Sequence, residues 1–287
     1  MRWQMGRRSR NIQDRRGARG GGSSIAVGGG GLGMLVLALV VMFLGGDPTI
    51  VLDQVAPTSQ GPYTNQPRQI SPQEDELADF VSVVLADTED TWHALFREMG
   101  GTYQEPNLVL FSGATQSGCG FAQAAMGPFY CPADQTVYID LSFYQDLKDR
   151  HQAPGDFAQA YVIAHEVGHH AQNLLGISDQ VQQLKRRVNQ KEANQLSVRL
   201  ELQADCFAGV WANRADNARN ILEQGDVEEA LNAASQIGDD RLQQQGRGYV
   251  SPDSFTHGSA AQRSRWFKRG LQTGDLNQCN TFETANL

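Results

Sequence analysis

The residues best suited to chemistry stand in segment 165–170, which reads His-Glu-Val-Gly-His-His. Residues four apart share one face of a helix, so the imidazoles of His165 and His169 can converge on one tetrahedral zinc ion. Glu166 would stand beside the metal as a base and not as a ligand. This spacing predicts a zinc centre of the hydrolytic kind.

A helix is expected around this segment because apolar and small residues recur at spacings of three and four. Gly155-Asp156 would begin the helix and Gly176 would end it. Ala164 and Gly168 would let another chain segment approach closely, as a third metal ligand requires.

A second helical segment offers two carboxylates, Glu201 and Asp205, four residues apart on one face. Hydrolytic zinc sites keep three protein ligands and one position for water, so Glu201 is expected to complete the set. Asp205 would accept the N–H of a liganding imidazole and fix its tautomer. A solvated helix face is the alternative, but the neighbouring residues are apolar enough to predict burial.

These motifs resemble those of the neutral zinc metallopeptidases, a family of membrane-anchored bacterial proteins with HEVGHH and ELQADC segments. The likeness covers most of the chain beyond residue 70. The resemblance implies a zincin-like metallopeptidase fold with His165 and His169 as zinc ligands. It also implies Glu166 as the catalytic residue and Glu201 as the third ligand, and it supplies no physiological substrate. The segments that carry it besides the two motifs are 130–132, 138–141, 204–209 and 256–258.

The N-terminal part predicts a membrane anchor. Seven arginines and one acid fill the first 19 residues, and no charged residue occurs from Gly20 to Gly46. The expected organisation is a basic cytoplasmic tail (1–23), a transmembrane helix (24–46), a proline-rich linker (47–70) and a zinc metallopeptidase domain (71–287). The domain would then lie outside the cytoplasm, in a single-pass membrane protein. A cleaved signal peptide is the alternative, although no small-x-small cleavage site follows the apolar stretch.

The predicted fold class is α+β, mostly helical with a small β-sheet. Ser71 opens a capping box for the first helix of the domain. Short β-rich runs follow at 108–111 and 136–139, and nearly everything after Phe157 predicts helix. The run Val137–Asp140 is a candidate sheet edge for binding an extended peptide, with an interior strand as the equal alternative.

The four cysteines predict disulfides in an exported domain. Three pairings are possible, and the simplest joins neighbours in one Gly/Pro-rich region and leaves the other two together. No C-x-x-C motif occurs, which argues against a second, cysteine-based zinc site. That simplest pairing is Cys119 with Cys131 and Cys206 with Cys279.

Charge excludes one class of partner. The formal charge is −8, and the arginine-rich first 19 residues leave −14 for the remainder. So acidic a domain would repel nucleic acid. The expected partners are a peptide or protein substrate, and the membrane through the N-terminal anchor.

The sequence thus predicts a zinc metallopeptidase, a metalloendopeptidase by expectation, with Glu166 as general base. His257 stands just before a helix that Ser259 would cap, where it would donate to the oxyanion; the alternative is that it only hydrogen-bonds the turn. Two other functions stay open. One is a catalytically silent envelope protein that binds a partner, and the other is an amide or ester hydrolase of non-peptide substrates.

Overall fold

The computed structural model describes residues 1–17, 70–150, 152–284 and 287. These residues form a mostly helical fold with two small sheets, as the sequence predicts. The helices are α1 Pro72–Glu98, α2 Ser142–Asp149, α3 Asp156–Leu174, α4 Ile177–Lys185, α5 Gln190–Arg219, α6 Asp226–Gln236, α7 Asp239–Arg247 and α8 Ala260–Thr273. The strands are β1 Ile12–Asp14, β2 Asn107–Phe111, β3 Ala114–Ser117, β4 Gly120–Gln123, β5 Phe129–Cys131 and β6 Thr136–Asp140.

Helix α1 begins where the sequence predicts. The Ser71 hydroxyl accepts from the Glu74 amide at 3.2 Å, and the Glu74 carboxylate accepts from the Ser71 amide at 2.9 Å. This reciprocal pair satisfies two amides that a helix start leaves without partners. The apolar face of α1 is buried, and Trp92 meets Phe207 of α5 edge to face at 5.4 Å.

The larger sheet has the strand order β1-β2-β6-β5. Strands β1, β2 and β6 are parallel, and β5 pairs with β6 in the antiparallel direction. The prediction that Val137–Asp140 forms the sheet edge is wrong, because β6 lies between two strands and is buried along its whole length. The edge that faces α3 is β5. Tyr130, in the middle of that strand, hydrogen-bonds His170 of α3 at 3.0 Å.

The arginine-rich N-terminus packs on the domain. Ile12–Asp14 pairs with Leu108–Leu110 of β2, and the Arg7 guanidinium binds the buried Glu89 carboxylate of α1 at 2.8 Å. Arg16 is buried between Asp14 and Asp75, at 2.6 and 3.0 Å. Residues 1–17 therefore belong to the same folded body as the helices.

These contacts correct the predicted membrane topology. A chain that crosses a bilayer once would hold Arg16 and the domain on opposite sides, which the β1–β2 pairing does not permit. Among the described residues, no helix combines the length and the apolar composition needed for a bilayer crossing. For the residues that the structure describes, the transmembrane helix of the predicted fold class and the single-pass membrane localisation are therefore wrong. The predicted anchor itself, 24–46, and nearly all of the linker lie outside the described residues.

Helices α5 and α8 pack with their backbones in contact. A Cβ atom on Gly209 would overlap the backbone of Phe267 and Leu271, and one on Gly270 would overlap the backbone of Cys206. Two glycines facing each other allow this approach because neither carries a side chain. The crossing places the start of α8 next to the middle of α5, where Glu201 and Asp205 stand.

Both disulfides of the simplest pairing are formed. Cys119–Cys131 ties the turn between β3 and β4 to the edge strand β5. Cys206–Cys279 ties α5 to the segment that follows α8.

Candidate metal centre

Helix α3 positions the two histidines as the sequence predicts. It begins at Asp156, ends at Leu174, and is followed by Gly176 in the left-handed conformation. Its stripe of apolar residues is fully buried, so the helix is held firmly in the core. His165 is buried and His169 is half-buried, at the surface of a cavity.

Helix α5 brings the carboxylates to the histidines. The Asn189 side chain caps its first turn in a capping box with Glu192. A Cβ atom on Gly168 would lie 3.1 Å from the Ala204 carbonyl oxygen, so the missing side chain lets α3 and α5 approach closely. This is the approach that the small residues of the motif helix predict.

Three potential ligands come together at the α3–α5 contact. Glu201 Oε2 lies 3.2 Å from His165 Nε2, and Glu201 Oε1 lies 3.5 Å from His169 Nε2. One ligand atom from each of the three residues lies within 4.8 Å of the others. Two imidazoles and one carboxylate are the donor set of a hydrolytic zinc site, so the residues fit the metal.

The electrostatics of this cluster favour a positive charge. Burial alone would lower the pKa of His165, but the Asp205 and Glu201 carboxylates raise it to about 10. Burial alone would raise the pKa of Glu201, but the neighbouring His169 and His257 hold it well below its usual range. A cation bound here would meet carboxylates that are already ionised, and would have to replace the imidazole protons.

Glu166 lines the same cavity and is buried, at 8 % exposure. Burial raises the pKa of its carboxyl, although the nearby His165 and His169 work against that rise. A carboxylate with a raised pKa is a stronger base than one in water, as general-base chemistry near neutral pH requires.

Asp205 lies on the side of His165 that faces away from Glu201. Its Oδ1 lies 2.8 Å from His165 Nδ1, which leaves Nε2 of that imidazole facing Glu201. The Tyr161 hydroxyl donates to the same Oδ1 at 2.5 Å. The carboxylate is fully buried, and the positive charge of Arg263 outweighs the burial penalty and lowers its pKa.

Arg263 of α8 is a site residue that the sequence reasoning missed. Its Nε and Nη2 donate to the two oxygens of Asp205, both at 2.9 Å, and Nη2 also donates to the Tyr161 hydroxyl at 3.2 Å. The whole residue is 3 % exposed. The sequence does contain a signal that Arg263 is buried. The residue falls on the apolar stripe of its helix, three residues before Trp266.

His257 stands at the cavity, immediately before α8. Ser259 caps that helix through a capping box with Gln262, as predicted. His257 Nδ1 lies 3.2 Å from Asp239 Oδ1, and the side chain is 52 % exposed. Asp239, which the sequence reasoning also missed, accepts the amides of Thr256, His257 and Gly258 on its other oxygen, at 2.7, 2.6 and 3.0 Å. One carboxylate thus fixes the whole turn.

His170 belongs to the packing and not to the metal cluster. It is fully buried, and its Nε2 lies 2.6 Å from the Gln104 carbonyl oxygen. The sequence predicts a packing or surface role for this histidine, and the packing alternative is correct.

The cavity in front of the cluster has a volume of about 510 Å³, within the range of ligand-binding sites. Its walls come from β5, from the helices α3 to α5 and from the segment 237–263. The chemical groups at its floor are His165, Glu166, His169, Glu201, His257 and Arg263.

Known proteins resemble the chain over most of its length. The family model described as "Putative neutral zinc metallopeptidase" matches residues 1–282. The uncharacterized protein YpfJ of Escherichia coli is 58% identical over 288 residues, covering 98% of this chain and 99% of that protein. The uncharacterized protein Rv2575 of Mycobacterium tuberculosis is 44% identical over 218 residues, covering 72% and 73%. No solved structure matches the chain. The chain therefore belongs to the neutral zinc metallopeptidase family.

Proposed function

We propose that this protein is a zinc-dependent peptidase, a metalloendopeptidase, that hydrolyses peptide bonds. The observation that carries the proposal is the convergence of His165, His169 and Glu201, whose ligand atoms lie within 4.8 Å of one another. Membership of a family described as zinc metallopeptidases supports both the metal and the class of reaction. These three residues would hold the zinc ion, and a fourth position would stay open to water.

Bound zinc would lower the pKa of a water molecule and polarise the scissile carbonyl. Glu166 takes the proton of that water and later passes it to the leaving amine. Its burial beside the histidines keeps the carboxylate within the site while its raised pKa favours proton uptake. Asp205 holds His165 with Nε2 directed at the metal position.

His257 is the candidate donor to the oxyanion that forms as water attacks the carbonyl. Asp239 fixes its Nδ1 side, and the ring is at the cavity surface. The His257 side chain is 52 % exposed, so a substrate oxygen can approach it. An extended substrate would pair with β5, which is the edge strand next to α3 among the strands that the structure describes, by main-chain hydrogen bonds.

Zinc content and hydrolysis measured together test this proposal. The full-length protein should bind one zinc per chain, and His165→Ala, His169→Ala or Glu201→Ala should each lower zinc affinity steeply. Glu166→Gln should keep the zinc and lose hydrolysis of a peptide library, because an amide fills the space without accepting a proton. Glu228→Gln, an exposed glutamate outside the cavity, is the matched control and should cleave at the wild-type rate.

Three results would contradict parts of the proposal. Wild-type turnover by Glu166→Gln would remove the assigned base. Full zinc affinity in Glu201→Ala would assign the third ligand to another carboxylate. A protein that binds zinc and peptides but cleaves none of the library would be the silent binding module.

A further inference from the structure

Two buried glutamines connect His169 to the C-terminal part of the chain. Gln172 stands one turn after His169 on α3, and its Oε1 lies 2.9 Å from His169 Nδ1. Gln203 stands on α5, and its Oε1 accepts from Gln172 Nε2 at 3.1 Å. Gln203 Nε2 in turn donates to the Cys279 carbonyl oxygen at 3.1 Å. Both glutamines are buried and neither borders the cavity, so these bonds belong to the interior of the protein.

The direction of each bond in this chain of hydrogen bonds is fixed. A carbonyl oxygen can only accept, so the Cys279 carbonyl draws the amide nitrogen of Gln203 and leaves the amide oxygen facing Gln172. The Leu200 carbonyl oxygen accepts from Gln172 Nε2 at 2.7 Å and orients the second amide in the same way. The oxygen of Gln172 therefore faces the imidazole, and His169 Nδ1 must carry a hydrogen to donate to it.

This arrangement decides which nitrogen of His169 is offered to a metal. An imidazole that donates through Nδ1 presents Nε2 as its ligand atom. His169 Nε2 lies 3.5 Å from Glu201 Oε1, inside the cluster of potential zinc ligands. The two histidines are thus oriented by different groups, since His165 faces the Asp205 carboxylate and His169 faces a neutral amide.

The Cys206–Cys279 disulfide lies at the far end of the same chain of bonds. Cys206 follows Gln203 by three residues, so both side chains lie on one face of α5, and both contact Cys279. The Thr281 hydroxyl adds a hydrogen bond to the Arg199 carbonyl oxygen at 2.7 Å. The segment that follows α8 is therefore attached to α5 at the point where Gln203 needs an acceptor.

We propose that Gln172 and Gln203 form a positioning relay, through which Cys279 holds His169 with Nε2 directed at the metal position. The inference rests on the proposed zinc site and deepens it. Amides carry no charge, so the relay orients the imidazole without altering the net charge of the site. The Cys206–Cys279 disulfide then supports a zinc ligand as well as the fold.

The zinc affinity of the full-length protein, measured by competition with a chelating dye, tests the relay. Gln172→Met removes the acceptor of Nδ1 with little change in shape and should lower the affinity about 10- to 100-fold. Gln203→Met and the double variant Cys206→Ala/Cys279→Ala each remove a more distant support and should lower it several-fold. In a protein that already carries Gln172→Met, Gln203→Met should cause no further loss, because Gln203 acts through Gln172.

Two further variants separate positioning from packing. Gln172→Glu keeps an oxygen that accepts from Nδ1, whether the carboxyl group is ionised or protonated, so it should retain more zinc affinity than Gln172→Met. A purely structural role would give the opposite order, since burying a carboxyl group costs more than burying a thioether. Gln195→Met, at an exposed position of α5, is the matched control and should bind zinc like the wild type. The absorption spectrum of bound Co²⁺, which reports coordination geometry, should change in Gln172→Met and not in the control.

The outcomes separate this inference from the proposed function, because no measurement requires cleavage. Wild-type zinc affinity in Gln172→Met, or additive losses in Gln172→Met/Gln203→Met, would overturn the relay and leave the peptidase standing. Wild-type affinity in Cys206→Ala/Cys279→Ala would overturn the part assigned to Cys279. If Gln172→Met does not fold, the affinity of Gln203→Met relative to Gln195→Met decides.

Nitrogen-15 NMR of histidine-labelled protein decides if the wild type binds no zinc. A slowly exchanging hydrogen on His169 Nδ1 that Gln172→Met loses would support the relay. Its absence from the wild type would overturn the relay.

Discussion

At the scale of single residues, the proposed metal site depends on a carboxylate that does not border the cavity. Asp205 is fully buried and holds His165, Tyr161 and Arg263 at once. A buried carboxylate is tolerated when its charge is paired and its oxygens are hydrogen-bonded. Arg263 meets both conditions with its bidentate contact.

Arg263→Met is therefore expected to weaken both the fold and the zinc site. Asp205 would stay buried without a counter-charge, at a cost of about 3–5 kcal/mol of unfolding free energy. Zinc affinity should fall about 10- to 100-fold, because the carboxylate would no longer hold His165 in place. Urea unfolding and competition with a chelating dye measure the two effects.

The controls separate charge from geometry. Arg263→Lys keeps the charge without the bidentate contact. Its unfolding free energy and its zinc affinity should therefore lie between those of the wild type and of Arg263→Met. Arg265→Met, at an exposed position of the same helix, should change neither property. Unchanged zinc affinity in Arg263→Met would show that Asp205 positions His165 without the contact from Arg263.

His257→Ala should act on turnover alone. The imidazole is half exposed, so its removal takes little from the core. Loss of a donor to the oxyanion costs about 10²–10³-fold in kcat. Zinc content and melting temperature should stay at wild-type values. A variant that loses melting temperature together with activity would make His257 a structural part of the turn.

The limits of sequence reasoning at this scale follow from distance along the chain. His165, Glu166 and His169 are recognisable because one helical turn relates them, and Glu201 with Asp205 for the same reason. Arg263 and Asp239 act through contacts 58 and 18 residues away. Helical spacing carries no information about such partners.

At the scale of elements, the contact between α5 and α8 sets the geometry of the site. Gly209 and Gly270 let the two helices meet backbone to backbone. Glu201 and Asp205 lie on one helix and Arg263 on the other. A displacement of these helices would therefore move Arg263 away from Asp205 and from the proposed ligands.

Gly209→Ala should be destabilising and should also lower zinc affinity. The new methyl group would overlap the backbone of Phe267, which cannot rotate away as a side chain can. Overpacking of this kind costs about 1–3 kcal/mol, or more where backbone must shift. Urea unfolding measures the stability, and chelator competition measures the zinc site.

Gly246→Ala is the matched control. Gly246 lies in α7 with nothing near its Cβ position and with an ordinary helical backbone. The same substitution there should stabilise the protein by about 0.5–1 kcal/mol, since alanine is the better helix former. Equal changes in unfolding free energy at both glycines would show that the α5–α8 crossing accommodates a methyl group at position 209.

Element prediction from the sequence works best where the signals are local. Capping residues and periodic apolar positions locate the starts of α1 and α8 and both ends of α3. Strand β1 is different, because its three residues pair with β2 almost a hundred positions later. The sequence around it shows an arginine-rich segment, which is why a cytoplasmic tail is predicted where the chain adds a strand to the sheet.

At the scale of the whole molecule, the first residues of the chain are part of the folded body. The family match begins at residue 1, in agreement with a first segment that is part of the folded body. Arg16 and Arg7 pair there with acids of α1, so basic residues that suggest a membrane-side tail instead neutralise an acidic domain. The net charge of −14 beyond residue 19 gives these arginines their partners.

The two disulfides should differ in what they support. Cys206–Cys279 should contribute more to stability, and Cys119–Cys131 more to substrate binding. Loop-closure entropy grows with loop length, so the 73-residue separation of Cys206 and Cys279 is worth about 4 kcal/mol, and the 12-residue separation of Cys119 and Cys131 about 3 kcal/mol. The double variant Cys206→Ala/Cys279→Ala should therefore lose more unfolding free energy in urea than Cys119→Ala/Cys131→Ala.

The shorter loop, however, carries the cavity wall. Residues 126–130 border the cleft between the two ends of that disulfide, so Cys119→Ala/Cys131→Ala should raise KM for peptide substrates while kcat stays close to wild type. Cys206→Ala/Cys279→Ala should leave KM unchanged at temperatures where it stays folded, because Cys279 lies away from the cleft wall. An unchanged KM in Cys119→Ala/Cys131→Ala would show that the sheet alone holds the wall. A raised KM in both variants would show that the effect is not specific to the disulfide of the wall.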